Sequence, residues 1–180
     1  EEELKKKEYA SRFEHYFKFS ELVSCLSSPD FLELRRQFFE YNFPDLKNAD
    51  ITQELWGMGM KDQAYNSIIE DIERIGVDQH RDLYDSLLAT KRLYQKENEE
   101  GLKSIIKKIG WPTINKVGSY ASSKAFFIVQ HSSDSSFQAE ALDTLEKYAI
   151  KNEIDRRDYA YLKDRFLMKS GQPQVFGTQI

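Results

Sequence analysis

Residues 119–131 read Ser-Tyr-Ala-Ser-Ser-Lys-Ala-Phe-Phe-Ile-Val-Gln-His, and this stretch decides the fold class. Beyond Lys124 it is apolar on nearly every side of a helix, which is typical of a central, buried helix. The other long apolar segments also show the helical period, and no alternating strand pattern exceeds a few residues. We therefore predict an all-α protein, a single compact domain of about seven or eight helices with an extended C-terminal tail.

Capping and helix-breaking residues divide the chain into the expected helices. The charged run 95–100 is interpreted as a solvated connection or kink, and residues 1–50 as an N-terminal helical layer on a single domain, with 51–180 as its core. The first predicted helix covers residues 3–26, the second is opened by Ser28-Pro29 and broken at 42–45, and the third runs from the cap Asp50 to Gly76. The fourth begins at about Asp78, and the fifth is ended by Gly110. The 119–131 helix follows, then a helix opened by Ser135 with Gln138 and ended at Asn152, and last a helix capped by Asp155 and ended by Gly171.

Composition excludes several classes of protein. The net charge of −4 argues against nucleic acid as the main partner. No apolar run of about 18 residues is present, so we expect no membrane span. Cys25 is the only cysteine, which excludes an internal disulfide and a cysteine zinc site. Residue 1 is Glu, so we expect a processed or trimmed chain. The compartment is left open between cytoplasm and export, and so is the oligomeric state.

Asp62 is the strongest signal of a site. A carboxylate among core-facing residues must be paired, protonated or open to a cavity, because burying a bare charge costs several kcal/mol. A structural cap or inter-helix salt bridge explains its position as well as a functional role does. It lies on an apolar stripe with alternating spacings of four and three, formed by Ile51, Leu55, Met58, Tyr65, Ile69 and Ile72.

A polar signature, Gln130-His131-x-x-Asp134, ends the central helix. Imidazole is the side chain best suited to move a proton near neutral pH, so His131 is the candidate general acid or base. A core or helix-capping histidine is the structural alternative. Oxygen ligands at Asp62 and Asp134 make a metal site with His131 conceivable, but we favour no metal and no cofactor, since phosphate-loop, nucleophile-elbow and His-Glu-x-x-His motifs are absent.

Asp164 and Arg165 follow one another on the last predicted helix, with apolar residues on several sides. The planar fork of Arg165 suits a carboxylate or phosphate. An ion pair from Arg165 to Asp62 or Asp134 is an equally good interpretation.

The tail carries Gln174, Thr178 and Gln179 around Gly177. Such a density of hydrogen-bonding groups predicts that residues 174–179 fold back onto the domain beside His131, Asp164 and Arg165, either to contact a ligand or to satisfy helix ends.

These signatures together resemble a largely bacterial family of uncharacterised proteins, known only as a domain of unknown function. The resemblance spans roughly residues 52–179 and adds Gln63 to the site, but it implies no activity. Phe176 stands where the family usually has Tyr, and Asn66 where it commonly has Arg. The matching segments are Met58 with Asp62-Gln63, Gly110-Trp111-Pro112, Val117-Gly118, Gln130-His131 with Asp134, Ala160-Tyr161-Leu162-Lys163-Asp164-Arg165, and Gln174 with Phe176-Gly177-Thr178-Gln179.

Three functional hypotheses follow. The first is an enzyme, a hydrolase, lyase or transferase acting on a small polar or anionic substrate. His131 would be the general acid/base, Asp62 or Asp164 would orient it or share the proton, and Arg165 would bind an anionic group. The second is a ligand-binding or protein-interaction module, and the third is a purely structural polar network. In the first two, the ligand-binding residues are Gln63, Gln130, Asp134, Arg165, Gln174, Thr178 and Gln179.

Overall fold

The computed structural model describes Cys25, residues 28–43 and residues 47–179. No strand occurs within these residues, which confirms the all-α prediction. The helix predicted over residues 3–26 lies, apart from Cys25, outside the described part of the chain. The described helices are α1 Pro29–Asn42, α2 Ala49–Gln63, α3 Asn66–Ile75, a short 3-10 helix Val77–His80, α4 Arg81–Ile109, α5 Ile114–His131, α6 Ser135–Ile150 and α7 Arg156–Lys169.

The helix ends follow the local capping chemistry. Ser28 Oγ accepts a hydrogen bond from the amide of Phe31 (3.2 Å), so α1 begins as predicted. Asp155 caps α7, since its Oδ1 accepts a hydrogen bond at 2.9 Å from the amide of Arg157, the second residue of the helix. Asn152 has φ +56°, the left-handed conformation expected where α6 ends. Asp134, rather than Ser135, is the residue that caps α6.

The helix predicted over residues 50–76 is in fact two helices, α2 and α3, separated at Ala64 and Tyr65. The turn places buried Ala64 in a small apolar cluster with Met60. It also stacks Tyr65 on Tyr94 of α4, with ring centroids 6.1 Å apart. The alternating spacing of four and three residues between buried apolar positions continues from α2 into α3. The sequence pattern therefore did not reveal the break.

The charged run 95–100 was wrongly interpreted as a connection, since α4 continues through it for 29 residues. Asn98 is buried there and donates its Nδ2 hydrogen to the carbonyl of Met58 at 2.9 Å. Leu83, which the helical period of this segment predicts to face inward, is 51% exposed. Residues 95–100 are therefore polar in composition and still form part of a helix that packs against α2.

The main core of the described residues is an apolar cluster to which six helices contribute, α1, α2 and α4 to α7. Among its most buried members are Leu55 of α2, Leu102 of α4, Val129 of α5, Leu145 of α6 and Leu162 of α7. Helix α5 packs against α2, α4, α6 and α7, which agrees with the central helix predicted from residues 119–131. Within the described residues, none of the helices combines the length and the apolarity that crossing a bilayer requires.

Helices α2 and α5 run parallel, as their cross-contacts advance together along both. Thr52 donates its hydroxyl hydrogen to the carbonyl of Val117 at 3.2 Å. Further along, the stem of Lys124 lies against Gly59, where an added Cβ would be only 2.6 Å from its Cδ. The two helices therefore end side by side, which brings the candidate residues at their C-termini together.

Asp158 links α7 to α5. Its Oδ2 accepts a hydrogen bond from Ser123 Oγ at 3.0 Å. Burial raises the pKa of the Asp158 carboxyl to about 6, although the Ser123 hydrogen bond opposes that rise. The folded protein therefore binds this proton more tightly than the unfolded chain does. The stability that this proton contributes is present below about pH 4 and is lost as the pH rises through 6.

We predict that Asp158→Asn raises the free energy of unfolding at pH 7 by about 1–2 kcal/mol. Each unit by which folding displaces a pKa changes the free energy of unfolding by about 1.4 kcal/mol, and the partial exposure of Asp158 reduces that change. Urea unfolding of both proteins should show the gain shrinking as the pH falls to 4. Asp85→Asn, an exposed change on α4, is the matched control. A gain that is constant from pH 4 to 7 would contradict the assignment.

Candidate functional site

His131 and Asp62 form the centre of the candidate site. His131 is the last residue of α5, and Asp62 lies in the last turn of the parallel helix α2. His131 Nδ1 lies 2.7 Å from Asp62 Oδ2. The Asp62 side chain is only 2% exposed, whereas the imidazole is 22% exposed. The buried carboxylate thus holds an imidazole that reaches the surface.

The hydrogen-bond pattern fixes which imidazole nitrogen is free. A carboxylate can only accept, so His131 Nδ1 must carry the hydrogen that Asp62 receives. In the neutral ring Nε2 is then the acceptor, and within the described residues it has no hydrogen-bond partner. The ring of Phe127, one turn earlier on α5, lies beside it with centroids 6.3 Å apart. This arrangement is suited to accepting a proton at Nε2.

Asp62 is also bonded to a chain of two amides that ends at Lys91. Gln63 Nε2 donates to Asp62 Oδ2 at 2.6 Å, and Asn66 Nδ2 donates to Gln63 Oε1 at 2.8 Å. The Lys91 ammonium donates to Asn66 Oδ1. An ammonium only donates and a carboxylate only accepts, so both ends of the chain impose the same direction on the two amides. We name these residues, Lys91, Asn66 and Gln63, the amide chain.

Asp134 takes part in a different cluster. It caps α6 through the amide of Phe137 (3.0 Å) and accepts from Lys103 Nζ at 2.9 Å. The Lys103 hydrogen bond first, and then the Phe137 amide, hold the pKa of this carboxyl well below its usual range. Lys103 also bonds Glu99, which accepts from the hydroxyl of Ser132 at 2.6 Å.

The side chain of Gln138 supports the end of α5 from α6. Its Nε2 lies 2.9 Å from the carbonyl oxygen of Val129 and 3.1 Å from that of Ser132. It also lies 3.3 Å from the carbonyl oxygen of Gln130, the neighbour of His131. The polar residues after His131 thus fix the position of the helix end.

Asp164 is fully buried beneath the C-terminal tail. Its Oδ1 accepts from the amides of Val175 (2.8 Å) and Phe176 (2.9 Å), and its Oδ2 accepts from the amide (2.8 Å) and hydroxyl (3.0 Å) of Thr178. Burial disfavours ionisation, but the hydrogen bonds from Phe176, Thr178 and Val175 outweigh it and lower the pKa of Asp164 to about 2. The tail therefore folds around this carboxylate.

The tail loop is closed by its own side chains. Gln174 Nε2 donates to the carbonyl of Gln179 at 2.7 Å, and the amide of Gln179 donates back to Gln174 Oε1 at 2.8 Å. Gly177 has φ +68°, which permits the tight turn between Phe176 and Thr178. The ring of Phe176 also meets Tyr159 edge-on, with centroids 5.9 Å apart.

The structure thus divides the sequence-predicted residues into separate groups. No hydrogen bond, ion pair or ring contact within the described residues joins Asp164 or the tail to His131. Arg165, on α7 beside Asp164, makes neither of the ion pairs weighed for it, since Asp62 bonds His131 and Asp134 bonds Lys103. No group of three His, Cys, Asp or Glu residues is placed to hold a metal in the part of the chain that the structure describes.

Sequence reasoning missed several residues that shape the site. Lys91 lies 25 residues from its partner Asn66, and Glu99 lies 33 residues from Ser132. Nothing in the local sequence signals such long-range pairs. Lys124 did interrupt an apolar stretch, and its burial beside Gly59 shows that this interruption was informative.

Comparison with protein families finds a match over most of the chain. A family model described as "Family of unknown function (DUF6624)" covers residues 49–180, from the first residue of α2 onward. Comparisons with curated proteins and with solved structures find no match.

We predict that Asp164→Asn detaches the tail. The asparagine replaces one acceptor oxygen by an NH2 group, which faces amide donors and cannot satisfy them. Limited proteolysis should cut residues 172–179 faster, and Tm should fall. Because the pKa of Asp164 is lowered in the folded state, its contribution is present above about pH 4 and is lost as the pH falls through 2, so the Tm difference should narrow on acidification. Asp143→Asn, exposed on α6, is the control and should leave both measurements unchanged.

Proposed function

We propose that this chain, which belongs to the family of unknown function DUF6624, is an enzyme that uses His131 as its general acid/base. The family supplies no reaction, so the proposal depends on the chemistry of the site. Its main support is the bond from His131 Nδ1 to buried Asp62, which leaves Nε2 as an acceptor on a partly exposed ring.

In the proposed mechanism, His131 Nε2 removes a proton from water or from a substrate hydroxyl, and later returns it to the leaving group. Asp62 fixes the ring orientation and stabilises the imidazolium that forms. No serine or cysteine nucleophile is bonded to Nε2 within the described residues, so we favour direct attack by water over a covalent intermediate. Hydrolysis of a small polar substrate fits these roles, and elimination is the related alternative.

The surroundings of His131 favour a substrate that carries negative charge. Lys124 Nζ lies 5.6 Å from the ring centroid of Phe127, which in turn lies beside His131. Phe127 is 37% exposed and gives the substrate an apolar face to contact. The Lys124 ammonium is buried and also lies 4.4 Å from the ring centroid of Tyr120, so we propose that its charge attracts an anionic substrate without direct contact.

We assign the remaining candidate residues to supporting roles. Gln63 belongs to the amide chain that positions Asp62. The carboxylate of Asp164 is saturated by tail donors, so we propose that Asp164, Gln174, Thr178 and Gln179 hold the tail and take no part in proton transfer.

A purely structural role is the second candidate, favoured by one observation. The amide chain joins α2, α3 and α4, and Asp62 continues it to α5, so the network alone would fix the relative positions of four helices. The two functions differ in what the loss of His131 changes. An enzyme loses turnover, whereas a structural network loses stability only.

We predict that His131→Gln lowers turnover by about 10²–10⁴-fold, the usual contribution of a general acid/base. The measurement is hydrolysis of a panel of small carboxylate esters, phosphate esters, amides and lactones. His80→Gln, in an exposed position on the 3-10 helix, is the matched control and should keep wild-type turnover. Full turnover in His131→Gln, or none by the wild type on any class, would contradict the proposal.

We predict that Asp62→Asn reduces the population of the Nδ1–H form of His131. An asparagine amide can donate to Nδ1 as well as accept from it, so the direction that the carboxylate imposes on the imidazole is lost. The ¹⁵N chemical shifts of the imidazole measure the two tautomers directly. Asp143→Asn, exposed on α6, is the control. An unchanged tautomer ratio would show that Asp62 does not set the tautomer of His131.

A further inference from the structure

A cavity of about 350 Å³ opens between α1, α2 and α4, lined by none of the residues assigned to the His131 site. Its wall includes Arg35 from α1, Glu54 and Lys61 from α2, and Asn98 from α4. The volume falls at the lower end of the range for small-molecule sites. Its charged lining is unusual for a gap left only by imperfect packing.

Arg35 is a cation without a partner among the residues that the structure describes. Its Nε is completely buried and has no hydrogen bond, and no carboxylate within the described residues lies within ion-pair distance of its guanidinium. Burial lowers the pKa of Arg35, and the charge of Glu54 only partly opposes this. A desolvated guanidinium with unused donors is best satisfied by a carboxylate, whose two oxygens match its fork.

Glu54 supplies the opposite charge on the same wall without meeting Arg35. It is exposed, and neither an ion pair nor a hydrogen bond engages its carboxylate within the described residues. The other charged pair of the lining is already formed, since Lys61 Nζ lies 3.7 Å from Glu97 Oε2. The cavity therefore presents one unmatched positive and one unmatched negative group.

Glycine provides the space beside these charges. A Cβ built on Gly57 would lie 2.5 Å from Arg35 Nη1, so only glycine lets the guanidinium rest on α2 in this position. A Cβ on Gly101 of α4 would collide with the Met58 side chain. Leu32 and Met58 complete an apolar part of the wall.

We propose that this cavity is a binding site for a small zwitterion of the α-amino-acid type. The ligand's carboxylate pairs with the Arg35 guanidinium, its ammonium pairs with Glu54, and its side chain contacts Leu32 and Met58. Each charge of the ligand meets the unmatched opposite charge of the wall, and neither requires a change in the Lys61–Glu97 pair.

The test uses the full chain labelled with ¹⁵N and titrated with each proteinogenic L-amino acid in turn. We expect saturable shifts of the Gly57 and Gly101 amides with at least one of them. The tightest binder is then compared with its analogue lacking the amino group and its analogue lacking the carboxylate, each of which should bind roughly tenfold more weakly or worse, as expected for loss of a charge-assisted contact.

Variants assign the contacts. Arg35→Met should abolish binding of the amino acid, and Glu54→Gln should weaken it while leaving binding of the carboxylate analogue unchanged. Because Arg35 is partly buried, the exposed Glu54→Gln variant keeps the proposal testable even if Arg35→Met does not fold. Arg74→Gln, a surface change on α3, is the control. The proposal is overturned if no amino acid shifts the cavity amides, if the carboxylate analogue binds as tightly as the amino acid, or if Glu54→Gln binds like the wild type.

Discussion

A carboxylate that is buried on folding must accept hydrogen bonds from nearby donors, and this structure depends on two such carboxylates. Asp62 and Asp164 are both almost completely buried within an apolar core. Without hydrogen bonds, each would cost the fold several kcal/mol. The chain meets this requirement in two ways, and the difference between them separates a candidate reactive group from a structural anchor.

Asp164 is satisfied by three main-chain amides and one hydroxyl from a single short segment, the tail. Such donors are fixed by the backbone and have no proton to exchange near neutral pH. Asp62 is satisfied by two side chains, the amide of Gln63 beside it on α2 and the imidazole of His131 on α5. Imidazole does exchange a proton in that range. Two aspartates with nearly the same burial therefore have different chemistry because their donors differ.

The sequence predicted much of the fold and part of the site. The apolar run of α5 identified the central helix, and the periodic position of Asp62 correctly indicated its burial. Local capping at Ser28 and Asp155 placed helix ends well. The sequence did not predict the break between α2 and α3 or the continuity of α4. Apolar periodicity and charge indicate which side of a helix is buried, but they do not indicate where the helix ends. The hydrogen bonds of the site were only partly anticipated, because tertiary packing brings Lys91 to Asn66 and the tail amides to Asp164.

The length of α4 has a consequence for how the molecule responds as a whole. At 29 residues it is a rod about 44 Å long. Lys91, at the end of the amide chain, and Asn98, on the cavity wall, are only two turns apart on it. A rigid rod transmits axial displacement between such points with little loss. A molecule that shifted α4 on entering the cavity would change the distance between Lys91 and Asn66, and by thermodynamic reciprocity a change in that bond would alter the affinity of the cavity.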